Sequence, residues 1–203
     1  MISDTQLKQL VEAALFAADQ ALTLDQLQQG VLAGYKLNRP RLRQVLDDLI
    51  ADYQERGVQL VEVASGYRFQ TRADLAPALA QMWSERAPRY SAALLETLAL
   101  IAWRQPITRG EIEAVRGVSV STSIMRTLQE RDWVKIVGQK EVPGRPSLYA
   151  TTKTFLDYFS LQSIADLPAL AEQRPELELM AEQDDASEQS DTRERGETKA
   201  MLH

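Results

Sequence analysis

The tightest constraint on the fold lies in residues 91–150, where three helical segments are followed at short intervals by a hairpin. Val134–Val137 is strand-like, the chain turns, and Ser147–Ala150 returns as a second strand. Val142-Pro143-Gly144-Arg145 in the loop suits a type II turn. Proline presets φ at its second position, and glycine accepts the positive φ at its third. Upstream, Ser91–Gln105 is apolar around most of its circumference. Thr108–Val115 opens with a capping box between Thr108 and Glu111, and Ser121–Arg131 follows a break at Gly117. Helix, short helix, helix and hairpin together are the order of a winged helix-turn-helix.

The first half of the chain has the same order. Leu7, Leu10, Val11, Ala14, Leu15 and Ala18 form one stripe of an amphipathic helix, with Phe16 outside it. Thr23 and Gln26 make a second capping box ahead of Leu24, Leu27 and Val31. After a break at Gly34 and Asn38-Arg39-Pro40, Leu42, Val45, Leu46, Leu49, Ile50 and Tyr53 mark a third helix, with Gly57 expected as its αL cap. Val58–Val63 and Tyr67–Thr71 read as strands around Ala64-Ser65-Gly66, and Ala73–Glu85 is helical in pattern. An offset of 85 residues places Ala14–Thr23 on Ala99–Thr108 with both caps in register, matching Ala14/Ala99, Leu15/Leu100, Ala17/Ala102, Gln20/Gln105 and Thr23/Thr108. The expected fold is α+β and mainly helical. It consists of two tandem winged helix-turn-helix domains, residues 1–86 and 87–170, the second closing with a short helix capped by Thr152 and a further turn at Ser163–Leu167. Residues 171–203 carry ten acids, four bases and no aromatic side chain, a composition expected to stay disordered.

That acidic tail accounts for the whole net charge of −6, so residues 1–170 hold nineteen acids and nineteen bases. A domain that grips duplex DNA through phosphates usually carries a basic excess or stripe, and neither half has a strong one. The most basic segment, Arg39, Arg41 and Arg43, is followed by Asp47, Asp48 and Asp52, which would repel a backbone lying alongside. Ser121-Thr122-Ser123, at the start of the helix placed to read bases in the second half, discriminates bases poorly. Weak or indirect DNA contact is the most this pattern supports. The absence of cysteine excludes disulfides, thiolate metal sites and cysteine nucleophiles, while the sole histidine, His203, reads as an unordered terminal residue. Gly138 and Gly144-Arg145 lack the Lys-Ser/Thr of a phosphate loop, and the glutamates Glu96, Glu111 and Glu113 are explained by helix faces and caps. No apolar run spans a bilayer, and Met1-Ile2-Ser3-Asp4 lacks the basic start of a signal peptide. A cytoplasmic protein that is not an enzyme, needing no cofactor or metal, is expected.

Leu94-Leu95-Glu96-Thr97-Leu98-Ala99, Gln105-Pro106-Ile107-Thr108-Arg109, Ile112–Val118 and Lys140-Glu141-Val142-Pro143-Gly144-Arg145-Pro146 resemble the bacterial segregation and condensation protein B family. The likeness runs from about Leu7 to Leu170 and departs at Ser119-Val120-Ser121-Thr122-Ser123. It implies the winged-helix "kite" subunit of the bacterial condensin complex, a nucleoid-associated homodimer that binds the kleisin subunit and through it the SMC ATPase. The other class of function open to such modules is DNA-binding transcriptional regulation.

Within the apolar helix, Leu95, Leu98, Ala99 and Ala102 form the stripe expected to face the core. Leu94 and Ile101 then stand one heptad apart on a flank, either beneath Phe155, Leu156 and Phe159 or lining a groove for another chain. With the resemblance favouring a partner, Leu94, Ile101 and the wing cations Lys140 and Arg145 are the expected partner-binding residues. Phe16 is the expected dimer contact.

Overall fold

The computed structural model describes residues 2–82 and 90–168 of the chain. It is an α+β structure with two small sheets and two separate clusters of buried side chains. The acidic tail lies outside the described residues, as does the segment joining the two halves.

Three helices, α1 (Asp4–Ala17), α2 (Leu24–Gln29) and α3 (Arg39–Tyr53), precede the hairpin of β1 (Val58–Val63) and β2 (Gly66–Thr71). The stripes of α1 and α3 meet through Leu7, Val11, Leu15, Leu42, Val45, Leu46 and Leu49, and Leu60 and Tyr67 of the hairpin complete this core. Thr23 caps α2 as expected: its hydroxyl accepts from the Gln26 amide at 3.1 Å, and the Gln26 side chain accepts from the Thr23 amide at 2.8 Å. The residue that anchors the end of α2 is Leu32, buried to 1% exposure, while Val31 is 44% exposed. The chain widens after Gly30, where the Leu32 amide reaches back to the Leu27 carbonyl, and this moves the apolar position on by one. Gly57 is not an αL cap, because α3 ends at Tyr53 with Gln54 in a right-handed conformation and further turn bonds follow. Where a helix was expected over 73–85, the described residues 73–82 hold only α4 (Ala76–Leu79) as α-helix, between two 3₁₀ turns. No described residue of that stretch is buried, so no core face holds a longer helix in register.

In the second half the order is α5 (Ala92–Arg104), β3 (Ile107–Thr108), α6 (Arg109–Arg116), α7 (Thr122–Glu130), β4 (Val134–Gln139), β5 (Ser147–Thr151) and α8 (Lys153–Tyr158). Gly117 ends α6 in the left-handed conformation, with φ +74°. Ser121 caps α7, and Thr152 caps α8. The 142–145 turn forms as expected, with Gly144 at φ +86° and the Arg145 amide bonded to the Val142 carbonyl. β3 was not anticipated, since two residues are too short to show a period of two. It pairs with β5 and makes a three-stranded antiparallel sheet in the order β3-β5-β4.

β3 also bears on the internal repeat. Ile107 pairs with Tyr149 of the second hairpin. Leu22, which the 85-residue offset aligns with Ile107, bridges to Tyr67 of the first hairpin. The two halves therefore share the capping box and also the strand contact just ahead of it. The first contact requires a glycine. Gly66 has φ +129°, and a Cβ there would lie 2.3 Å from the Leu22 carbonyl oxygen.

Candidate partner-binding site

An apolar groove of about 290 Å³ opens between α5 and the C-terminal end of the described chain. Leu95, Leu98, Ala99, Ala102 and Trp103 of α5 form one wall; Phe155, Phe159 and Leu161 of α8 and its exit form the other. Leu167 and Pro168 close one end, where the Trp103 indole Nε1 donates to the Pro168 carbonyl at 3.0 Å. An apolar trough of this kind offers burial to a hydrophobic side chain and little that could polarise a bond.

Leu94 and Ile101 do not line this groove. They are 7% and 0% exposed, inside the core with Leu98, Ala102, Ile112, Val120, Met125, Leu128 and Trp133. The orientation of α5 differs from the sequence expectation because its inward face is centred on Leu94, Thr97, Leu98 and Ile101, against α7 and β5. In this rotation the Arg116 guanidinium donates to Glu96 at 2.8 Å and to the Thr97 hydroxyl at 3.3 Å. The flank left over is the one that carries Leu95 and Ala99, which had been assigned to the core. Phe155 belongs to the same buried cluster as Leu94 and Ile101, with Leu156 packed against it, as the covering alternative required; Phe159 stands across the groove, which stays open beside it.

The wing cations have different environments. Lys140 Nζ lies 2.5 Å from Glu111 Oε1, so the hairpin is tied to the start of α6. The ammonium of Lys140, followed by the amide and hydroxyl of Thr108, holds the Glu111 carboxyl at about 2, well below the usual carboxylate range. Arg145 is exposed at the turn and makes no ion pair among the described residues. Exposed Ile136, Val137 and Val142 accompany it on the hairpin. Glu113 is also held below its ordinary value, by the Val120 amide and then by Arg109. Arg109 bonds Glu113 at 3.0 Å and also reaches the Val120 carbonyl, so it braces the α6–α7 connection.

Phe16 lies outside the α1 core stripe, as expected. It is 51% exposed, stacked on Phe69 with centroids 3.9 Å apart and planes 10° apart. The arginines at the start of α3 are neutralised locally: Arg39 pairs with Asp25, Arg41 with Asp4 at 2.6 Å and Arg43 with Glu62 at 3.8 Å. On the second half, Arg109, Arg116, Arg126 and Lys140 are likewise paired with carboxylates. Among the described residues no cluster of three or more histidines, cysteines or carboxylates could hold a metal ion. No described helix is long and apolar enough to cross a membrane.

Residues 9–170 match the family model described as "Segregation and condensation complex subunit ScpB". The chain belongs to this family. The segregation and condensation protein B homolog of Coxiella burnetii is 52% identical over 169 residues, covering 83% of this chain and 81% of that protein. Segregation and condensation protein B of Bacillus subtilis is 39% identical over 180 residues, covering 87% and 89%. Among solved structures, ScpB from Mycobacterium tuberculosis is 33% identical, covers 79% of this chain and 99% of its own, and has a TM-score of 0.37. The 9–170 match agrees with the extent of the resemblance read from the sequence, and the chain is a chromosome segregation and condensation subunit.

Proposed function

We propose that this chain is a non-catalytic adaptor of bacterial condensin, and that it holds the kleisin subunit in the groove between α5 and α8. The observation that carries this reading is an open apolar trough on the second half of a chain from this family. An amphipathic helix or extended segment of the kleisin would lay its apolar side chains against Leu95, Ala99 and Phe159. Lys140 and Arg145, on the wing, would meet its polar flank. The two halves act as tandem winged-helix modules, residues 1–86 and 87–170. The first dimerises through the exposed Phe16, stacked on the half-buried Phe69, and the kleisin links the dimer to the SMC ATPase at the nucleoid. Paired arginines support the adaptor over a transcriptional regulator, because cations already matched by carboxylates release few counterions on meeting DNA.

The test is a titration of purified kleisin against the full chain and its Leu95→Glu variant. Truncating or charging an anchor of this kind typically weakens binding by ~2 kcal/mol or more, over tenfold in affinity. Equal affinities would move the kleisin to another surface. Submicromolar, salt-sensitive and sequence-dependent binding to duplex DNA would favour the regulator instead.

A further inference from the structure

The helix that walls the groove also joins the two halves of the molecule. The Asp157 carboxylate on α8 accepts from the Ser65 amide at 3.0 Å and from the Ser65 hydroxyl at 2.5 Å. Arg68 donates to the Asp157 carbonyl at 2.6 Å, Ser160 donates to Gln70 at 3.0 Å, and the Ala64 amide donates to the Leu161 carbonyl at 2.9 Å. These bonds clasp the β1–β2 turn to the end of α8. No buried residue of either core cluster is among these partners, although Leu161 packs against the second cluster, and the two clusters share no residue. The junction is polar and made of hydrogen bonds that water could replace on opening.

Two features weigh against the closed clasp. The Arg68 Nε is buried with no hydrogen-bond partner among the described residues. Ser160 sits at φ +57°, in the left-handed position that glycine normally takes after a helix. These costs, set against a few solvent-replaceable bonds, lower the net stability of the closed clasp. The clasp and the groove also share a segment: Leu161 lines the groove with its side chain and holds Ala64 with its carbonyl, and Phe159 is the residue before Ser160.

We infer that the Ser65–Asp157–Arg68 clasp is a two-position latch between the halves, and that filling the α5–α8 groove favours its closed position. The link to the kleisin rests on the function proposed above, whereas the latch itself does not. An apolar group seated in the groove packs Phe159 and Leu161 where they now stand, and so orders the end of α8 that the first-half hairpin grips. The coupling is reciprocal, so an opened latch weakens whatever the groove holds by the same factor.

The chain has no cysteine, so two introduced ones report cleanly. Spin labels at Glu55→Cys and Gln129→Cys, both exposed and outside clasp and groove, give the distance between halves by pulsed electron resonance. The labelled full chain is diluted with unlabelled chain to suppress signals between copies. The parent should show one dominant distance, and Asp157→Ala should move the closed-to-open ratio by about tenfold towards open. Asp157→Asn, which keeps an acceptor for the Ser65 amide, should restore part of it. In the Asp157→Ala background, Ala99→Phe fills the groove and should recover the closed population; Ala99→Met repeats the test if the larger ring impairs melting. An unchanged distance distribution in Asp157→Ala overturns the latch, and an unchanged ratio on filling the groove overturns the coupling. Because these arms need no partner, failure of the parent chain to bind kleisin counts against the adaptor reading alone.

Discussion

Replacing Ile101 by alanine separates core from groove more sharply than any other single change. Ile101 is fully enclosed, between the face of α5 and the residues of α7 and the second sheet. The substitution removes three buried carbons, a loss of roughly 2.4 kcal/mol at about 0.8 kcal/mol each. Incomplete collapse of the void should raise the total to about 3–5 kcal/mol. A domain of this size is stable by only about 5–15 kcal/mol, so the melting transition of the second half should fall substantially. Urea unfolding read by the fluorescence of Trp133, which is buried in the same cluster, measures the change directly. Leu95→Glu is the matched control, since Leu95 is half-buried on the groove wall and the charge can reach water. It should cost no more than about 1 kcal/mol of stability while weakening kleisin binding. A loss below about 1 kcal/mol at Ile101, accompanied by weaker kleisin binding, would put that side chain on the binding surface and refute the packing argument.

Protonating Glu111 should weaken the α6 cap. Its folded value lies below the ordinary one, so the stabilisation is present in full above about 4.5 and is lost as pH falls towards about 2; Lys140→Met should raise that midpoint, read by carboxyl NMR titration. Gly66→Ala places a Cβ against the Leu22 carbonyl at a φ that alanine rarely adopts, and should destabilise the first half by at least about 1–3 kcal/mol, seen in its unfolding transition. Phe16→Glu should shift sedimentation of the full chain towards monomer while changing the stability of the monomer little; an unchanged dimer would remove Phe16 from the interface.

Where local chemistry decides the structure, the sequence was readable. The Thr23/Gln26 and Thr108/Glu111 boxes form as their spacing dictates, because each satisfies amides only three residues away. The Pro143-Gly144 turn forms for a similar reason, since its backbone angles belong to those two residues. The rotation of α5 was not readable. A helix apolar on nearly all sides has no unique inward face, and the one it uses is set by contacts distant in sequence, with α6, α7 and β5. An apolar groove does run along this helix, on the flank of Leu95 and Ala99 and not that of Leu94 and Ile101. The Asp157–Ser65 clasp had no local signal at all, for its partners lie 92 residues apart and neither residue type is unusual on a surface. The pairing of the α3 arginines was not readable either, because their acids are distant in sequence or on another element: Asp4, Asp25 and Glu62.

Those ion pairs also bear on how the molecule moves near a polyanion. A protein with an uncommitted basic stripe is held by any stretch of DNA and spends much of its time in unproductive encounters. Here the α3 cations already have carboxylate neighbours, so capture by a phosphate would first require breaking a pair at the protein surface. A subunit paired in this way should feel little drag from charge near DNA, and a free copy should wash from a DNA column at modest salt.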